Sequence, residues 1–185
     1  DMFDELKHKV PTVNRSYSEY YVSCDYGTQN PTTFGLWGKY AGKWYKVKEY
    51  YYSGKEQLRQ KTDEEYYQDL EKFIGDIKIK AVIVDPSAAS FIALIKKKAK
   101  FKVKHARNDV LEGIRNVATA LGNGMIFYND CCINTFREFF SYVWDEKAAE
   151  RGEDKPVKQN DHCMDADRYF VNTILFRGPG IQVLK

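Results

Sequence analysis

The sequence predicts an α/β domain built on one mixed sheet with helices on both faces. Three observations lead there. Three apolar, β-rich runs follow one another between residues 20 and 52. From residue 62 onward, helical and strand patterns alternate. Two of the apolar runs each close on an aspartate, Asp25 and Asp85, which places acidic groups at strand carboxyl ends, where mixed sheets expose their rim. A length of 185 residues suits one domain with a sizeable core and leaves no room for a second large lobe.

The elements follow in order. Residues 1–19 mix charges with Pro11 and sustain no period, so they read as a connector. Strands are expected at about 20–24, 33–40 and 44–52, the last two joined by a hairpin turn at Ala41-Gly42. Residues 62–74 carry Tyr66, Leu70, Phe73 and Ile74 on one helical face, and Thr62 with Glu65 forms a capping box. A strand at 81–84 leads into a helix starting near Ser87, and residues 101–103 form another strand. A helix at 110–121 precedes the turn Gly122-Asn123-Gly124, a strand at 125–128 and a helix at 132–142. Residues 144–160, rich in charge and carrying Gly152 and Pro156, read as a protruding loop or hairpin. The last helix runs from His162 to about Leu175 with Asp161 as its N-cap, and Gly178-Pro179-Gly180 ends it. The domain therefore covers 20–180, and 181–185 form an apolar tail.

Composition narrows the class without choosing a function. Hydrophobic residues make up 43% and charged residues 30% of a chain whose 29 basic and 26 acidic residues leave a net charge of +3. Such a mixture folds, and it permits a local basic face without demanding one. Cys24, Cys131, Cys132 and Cys163 make neither a C-x-x-C pair nor a zinc-ribbon spacing, which fits a reduced cytosolic protein. Cys131-Cys132 reads as a buried pair at a helix start. No stretch is apolar and long enough to span a bilayer, and no basic-then-apolar leader occurs, so neither membrane insertion nor secretion is expected. The chain opens on Asp1 and not on methionine, which points to a domain excised from a longer protein.

The candidate chemistry lies in Asp25, Asp85, His162 and Asp165. The two strand-end aspartates meet at the sheet rim, and a helix laid across that rim presents His162 and Asp165, three residues apart, on one face. Carboxylates so gathered repel one another unless a divalent cation neutralises them. Asp167, two residues beyond Asp165, points away from this face.

The segment Asn160-Asp161-His162-Cys163-Met164-Asp165-Ala166-Asp167-Arg168-Tyr169 closely resembles the end of the nuclease domain of tailed-phage large terminases. Asp25-Tyr26-Gly27 followed by Asn30 and Thr32 resembles that family's first acidic motif, and Val84-Asp85-Pro86-Ser87 its second. Residues 142–158 resemble the hairpin before its third. The resemblance spans nearly all of 20–176. It implies a ribonuclease H-like (integrase-like) fold and a metal-dependent DNA endonuclease that cuts concatemeric double-stranded DNA during packaging, in the cytoplasm of an infected bacterial host. Two divalent cations, Mn²⁺ or Mg²⁺, are its implied cofactors. In this reading Asp25 bridges both metals, Asp85 binds one and Asp165 the other, and His162 adds a ligand or acts on phosphate or water. An imidazole in the shell makes Mn²⁺ at least as acceptable as Mg²⁺. Lys158 is the candidate cation beside the attacked phosphate. Implied partners are the terminase small subunit, the portal and procapsid, and an ATPase domain of the same protein. That ATPase lies outside this chain, since no G-x-x-x-x-G-K-[ST] occurs.

Two other readings stay open on the sequence. Asp25-Tyr26-Gly27-Thr28 also resembles the phosphate-binding turn of the actin and sugar-kinase superfamily, although a phosphotransferase of that kind needs a second lobe. A non-catalytic DNA-binding or motor-docking module would keep the fold without the activity. The segment from Asp145 to Lys158 is expected to be a mobile hairpin beside the metal site that gates duplex access.

Overall fold

The structure, a computed structural model, describes residues 2–151 and 161–176. The elements are α1 (Glu5–His8), β1 (Lys9–Val10), β2 (Tyr20–Asp25), β3 (Thr32–Tyr40), β4 (Lys43–Tyr52), α2 (Asp63–Ile74), β5 (Val82–Val84), α3 (Ala89–Lys98), β6 (Val103–His105), α4 (Val110–Gly122), β7 (Ile126–Asn129), α5 (Ile133–Glu150) and α6 (His162–Phe170). Beyond α6 the chain continues as one widened π-helical turn, Val171–Leu175. The described strands form one sheet in the order β1-β7-β4-β3-β2-β5-β6. Only β3 runs against the others, because β2-β3 and β3-β4 are antiparallel and the remaining pairs are parallel.

Local chemistry explains most elements. Ala41 and Gly42 both take positive φ, 50° and 78°, as a tight hairpin between right-twisted strands requires. Thr62 and Glu65 close the expected capping box on α2. Period-2 alternation then sorts side chains between two cores. Val22, Cys24, Val82 and Val84 pack under α2 and α3 with Leu70, Phe91 and Ile95. Tyr21 and Ile83 face the opposite way, with Leu121, Phe139 and Phe170 of α4, α5 and α6. Asp25 continues the parity of Tyr21, and Asp85 that of Ala81 and Ile83, so both aspartates fall on the α6 side of the sheet.

Three expectations need correction. Residues 1–19 are more than a connector, since β1 extends the sheet by pairing with β7. His8 is buried with its Nε2 2.8 Å from the Leu121 carbonyl, and Phe3 stacks on Phe139. A two-residue strand has no period of its own, so only its partner defines it. Second, α5 runs on to Glu150, so helix occupies 144–150, where a loop was expected. The stretch 152–160 of that segment lies outside the described residues, as do the expected helix stop at 178–180 and the tail at 181–185. Third, Cys132 is buried but Cys131 is exposed.

The centre of the sheet holds an ion pair. Lys46 of β4 donates to Asp167 of α6 at 2.6 Å, both side chains being 1% exposed, and also to the Thr135 hydroxyl at 2.8 Å. Asp167 therefore points into the core, away from Asp165. The pair fixes α6 across β4.

Candidate active site

Asp25 ends β2, where the chain leaves the sheet into a tight loop. There the Gly27 N–H donates to the Thr32 hydroxyl, which in turn donates to the Gly27 carbonyl, both at 3.0 Å. The aspartate is thereby held at the rim, and α6 brings His162 onto it: His162 Nδ1 lies 3.0 Å from Asp25 Oδ2, with both side chains about 15% exposed. The Thr33 hydroxyl donates to the His162 carbonyl at 3.1 Å, tying the start of α6 to β3. Asp165 lies one turn further along, where Arg168 Nη2 donates to its Oδ1 at 3.1 Å.

Asp85 follows β5 and is gripped from two sides. The Ser87 N–H donates to Oδ1 at 2.8 Å and Asn108 Nδ2 to Oδ2 at 3.2 Å. The loop after β6 thus serves two carboxylates. Its Asn108 side chain holds Asp85, while its Asn108 and Asp109 carbonyls accept from Arg168 Nη1 at 2.9 and 3.2 Å, and Arg168 holds Asp165. Gly113 is required beneath this arginine, since a Cβ there would come within 2.4 Å of Arg168 Cγ.

Asp25, His162 and Asp165 line a cleft of about 940 Å³ together with Asp161, Tyr51 and Lys55. Asp85 lies next to this cleft and not in its wall. The electrostatics nevertheless link the three carboxylates: the Tyr169 phenol is pushed up by burial and then by the charges of Asp25, Asp165 and Asp85 together. Burial pushes Asp165 up to about 6, helped by the charges of Asp161 and Asp25 and opposed by Arg168. Asp25 also rises, burial and Asp161 outweighing the contact with His162. For His162, burial works against protonation, but Asp25 outweighs it and the imidazole rises. Asp85 goes the other way: burial would raise it, yet the Ser87 and Asn108 donors hold it below its usual range.

Asp161 occupies the N-cap position of α6, but its side chain makes no cap hydrogen bond. Glu138 of α5 does so instead, its two oxygens accepting from the Cys163 and Met164 N–H groups at 3.1 and 3.0 Å. Burial pushes the Glu138 carboxyl up to about 7, with those two amides pulling it back. Engagement of both oxygens as acceptors matches the ionised form. Glu138 and Asn108 had no signal in the sequence beyond their chemical type, and Arg168 only its place in the segment 160–169. Lys158 lies outside the described residues.

The donor set suits a hard divalent cation: carboxylate oxygens, partly withdrawn from water, carrying more negative charge than the local cations balance. Asp25 Oδ2 and Asp165 Oδ1 are engaged by His162 and Arg168. Among the described residues no three acidic, histidine or cysteine side chains already stand as a metal cage. Loading a cation here therefore requires these side chains to turn.

The architecture defines the class, a ribonuclease H-like α/β domain. Within that class the chain is a large-terminase nuclease-like domain. It is 73% identical to the large terminase of a thermophilic bacteriophage, a structure in complex with ADP, over 96% of its own length and with a TM-score of 0.88. It spans 44% of the length of that protein. The P22 large terminase nuclease domain shares the fold at 21% identity, with a TM-score of 0.68 over 94% of this chain and 91% of that one. So does the large terminase nuclease domain of bacteriophage SPP1, a structure with bound Mn, at 15% identity and a TM-score of 0.58 over 89% and 94%. Neither family models nor curated proteins gave a match to this sequence. Among the described residues no helix is long and apolar enough to cross a membrane.

Proposed function

We propose that this domain is the DNA endonuclease of a viral packaging terminase, cutting concatemeric double-stranded DNA by metal-dependent phosphodiester hydrolysis. The observation that carries this reading is the meeting of Asp25, His162 and Asp165 in one cleft, with Asp85 on the neighbouring strand. Two Mn²⁺ or Mg²⁺ ions held by these four residues would supply an activated water and stabilise the departing 3′ oxygen.

The residues themselves do the positioning. Asp25 and Asp165, both raised by burial, gain from a cation that replaces their lost solvation. His162 donates from Nδ1 to an ionised Asp25, which fixes the tautomer and makes Nε2 the basic nitrogen, available to a cation, a phosphate or a water proton. Arg168 and Asn108 hold Asp165 and Asp85 beside the cleft, so that the turn a cation requires is confined to the side chains themselves. Lys158 is proposed as the cation beside the attacked phosphate.

In the intact protein, the partners would be an ATPase domain, a small subunit and the portal of the procapsid, and the setting the cytoplasm of an infected bacterium. Supercoiled-plasmid nicking tests the reading. Cutting with Mn²⁺ and with Mg²⁺ is expected, abolished by EDTA, leaving 5′-phosphate and 3′-hydroxyl ends. A folded domain that cuts with neither ion would leave a non-catalytic docking module as the better account.

A further inference from the structure

Glu138 is a glutamate 2% exposed in the second turn of α5, a placement that costs free energy unless its oxygens are satisfied. They are satisfied by the second and third amides of α6, the donors that an N-cap side chain ordinarily takes. The residue in the N-cap position, Asp161, lines the cleft instead. This exchange has a geometric consequence. A local cap stabilises a helix but leaves it free to move as a unit, whereas a cap supplied by another helix pins the first turn to that helix. The pinned turn contains His162 and Asp165, immediately flanking the two capped residues. The Thr33 bond to the His162 carbonyl pins the same turn from the sheet side. Between these two anchors His162 Nδ1 stands 3.0 Å from Asp25 Oδ2.

We propose that Glu138 is a positioning residue of the site: through the Cys163 and Met164 amides it sets where His162 meets Asp25 and where Asp165 stands. Its consequence for cutting rests on the nuclease reading above; its geometric part does not. The α5–α6 contact thereby becomes part of the site's scaffold, although Glu138 never touches substrate.

The test is Glu138→Gln, which keeps the side chain's length but opposes an amide NH₂ to one of the two backbone donors. In the metal-free protein the His162 imidazole ¹H–¹⁵N signals are expected to shift. With Mn²⁺, kcat for plasmid nicking is expected to fall by about 10-fold or more, as for outer-sphere partners of metal ligands, with KM for DNA unchanged. If Glu138→Gln is too unstable to measure, Glu138→Asp, too short to reach both amides, takes its place with the same expectations. A lowered melting temperature with unchanged imidazole signals and kcat within about twofold of wild type would make Glu138 a core strut and overturn the proposal. Should the wild-type domain fail to cut DNA, only the nuclease reading falls, and the imidazole signals still decide the role of Glu138.

Discussion

Asp165 and Asp167 stand two residues apart on α6, and their surroundings are opposite. Two residues are about 200° of helix, so one carboxylate faces the cleft and the other the core. Asp167 is matched at 2.6 Å by a single lysine as buried as itself. Asp165 shares Arg168 with two backbone carbonyls and sits near the charges of Asp25 and Asp161. The same residue type on the same helix thus serves structure where its charge is balanced inside the core. Under the proposed function it serves ligand binding where the charge is left in excess at an opening. In neither case does the aspartate alone decide the role.

The sharpest way to break this comparison is to remove the cleft carboxylates. Asp25→Ala, Asp85→Ala and Asp165→Ala are each expected to lower plasmid nicking by more than about 100-fold, beyond the usual effect of an outer-sphere partner. Melting temperatures of the Asp25 and Asp165 variants should stay at or above wild type, because mutual repulsion is relieved. Asp85→Ala gives up the Ser87 and Asn108 donors and should melt slightly lower. Full activity in any of these folded variants would remove that residue from the mechanism. The core pair should behave in reverse. Lys46→Met or Asp167→Leu alone strands a buried charge and is expected to cost about 3–5 kcal/mol in denaturant unfolding, with most of it recovered when both are replaced. Single variants that lose less than about 1 kcal/mol would show that the core tolerates the unpaired group.

His162 offers a smaller and more selective effect. A neutral imidazole contributes one donor and no charge, so His162→Ala is expected to retain more cutting than Asp165→Ala while changing the ratio of Mn²⁺- to Mg²⁺-supported activity. Activity equal to wild type with both metals would leave His162 only its part in holding α6.

The smallest effect is on stability against pH in the metal-free domain. The folded Asp165 carboxyl is raised to about 6 from an ordinary 3.8. Its contribution therefore favours the folded state below about pH 4 and is lost as pH rises through about 6. Asp165→Asn should flatten that part of the stability profile, measured by thermal melting between those two values. A profile with the same slope in the variant would assign the dependence to other groups.

Much of this arrangement is legible along the chain, because it depends on short-range periods. Alternation in β2 and β5 carries Tyr21 to Asp25 and Ile83 to Asp85 on one face. Helical spacing places His162 and Asp165 together and turns Asp167 away. The capping box of α2 and the Ala41-Gly42 hairpin follow from residues that touch their own neighbours. Contacts between distant segments had no such signature. That β1 finds the edge of β7, that Glu138 caps α6 in place of Asp161, and that the loop at Asn108 links Asp85 to Arg168 and Asp165 were decided only when the helices packed across the sheet. A backbone donor or a carboxylate accepts whichever partner the topology brings within about 3 Å, and that choice is made in three dimensions.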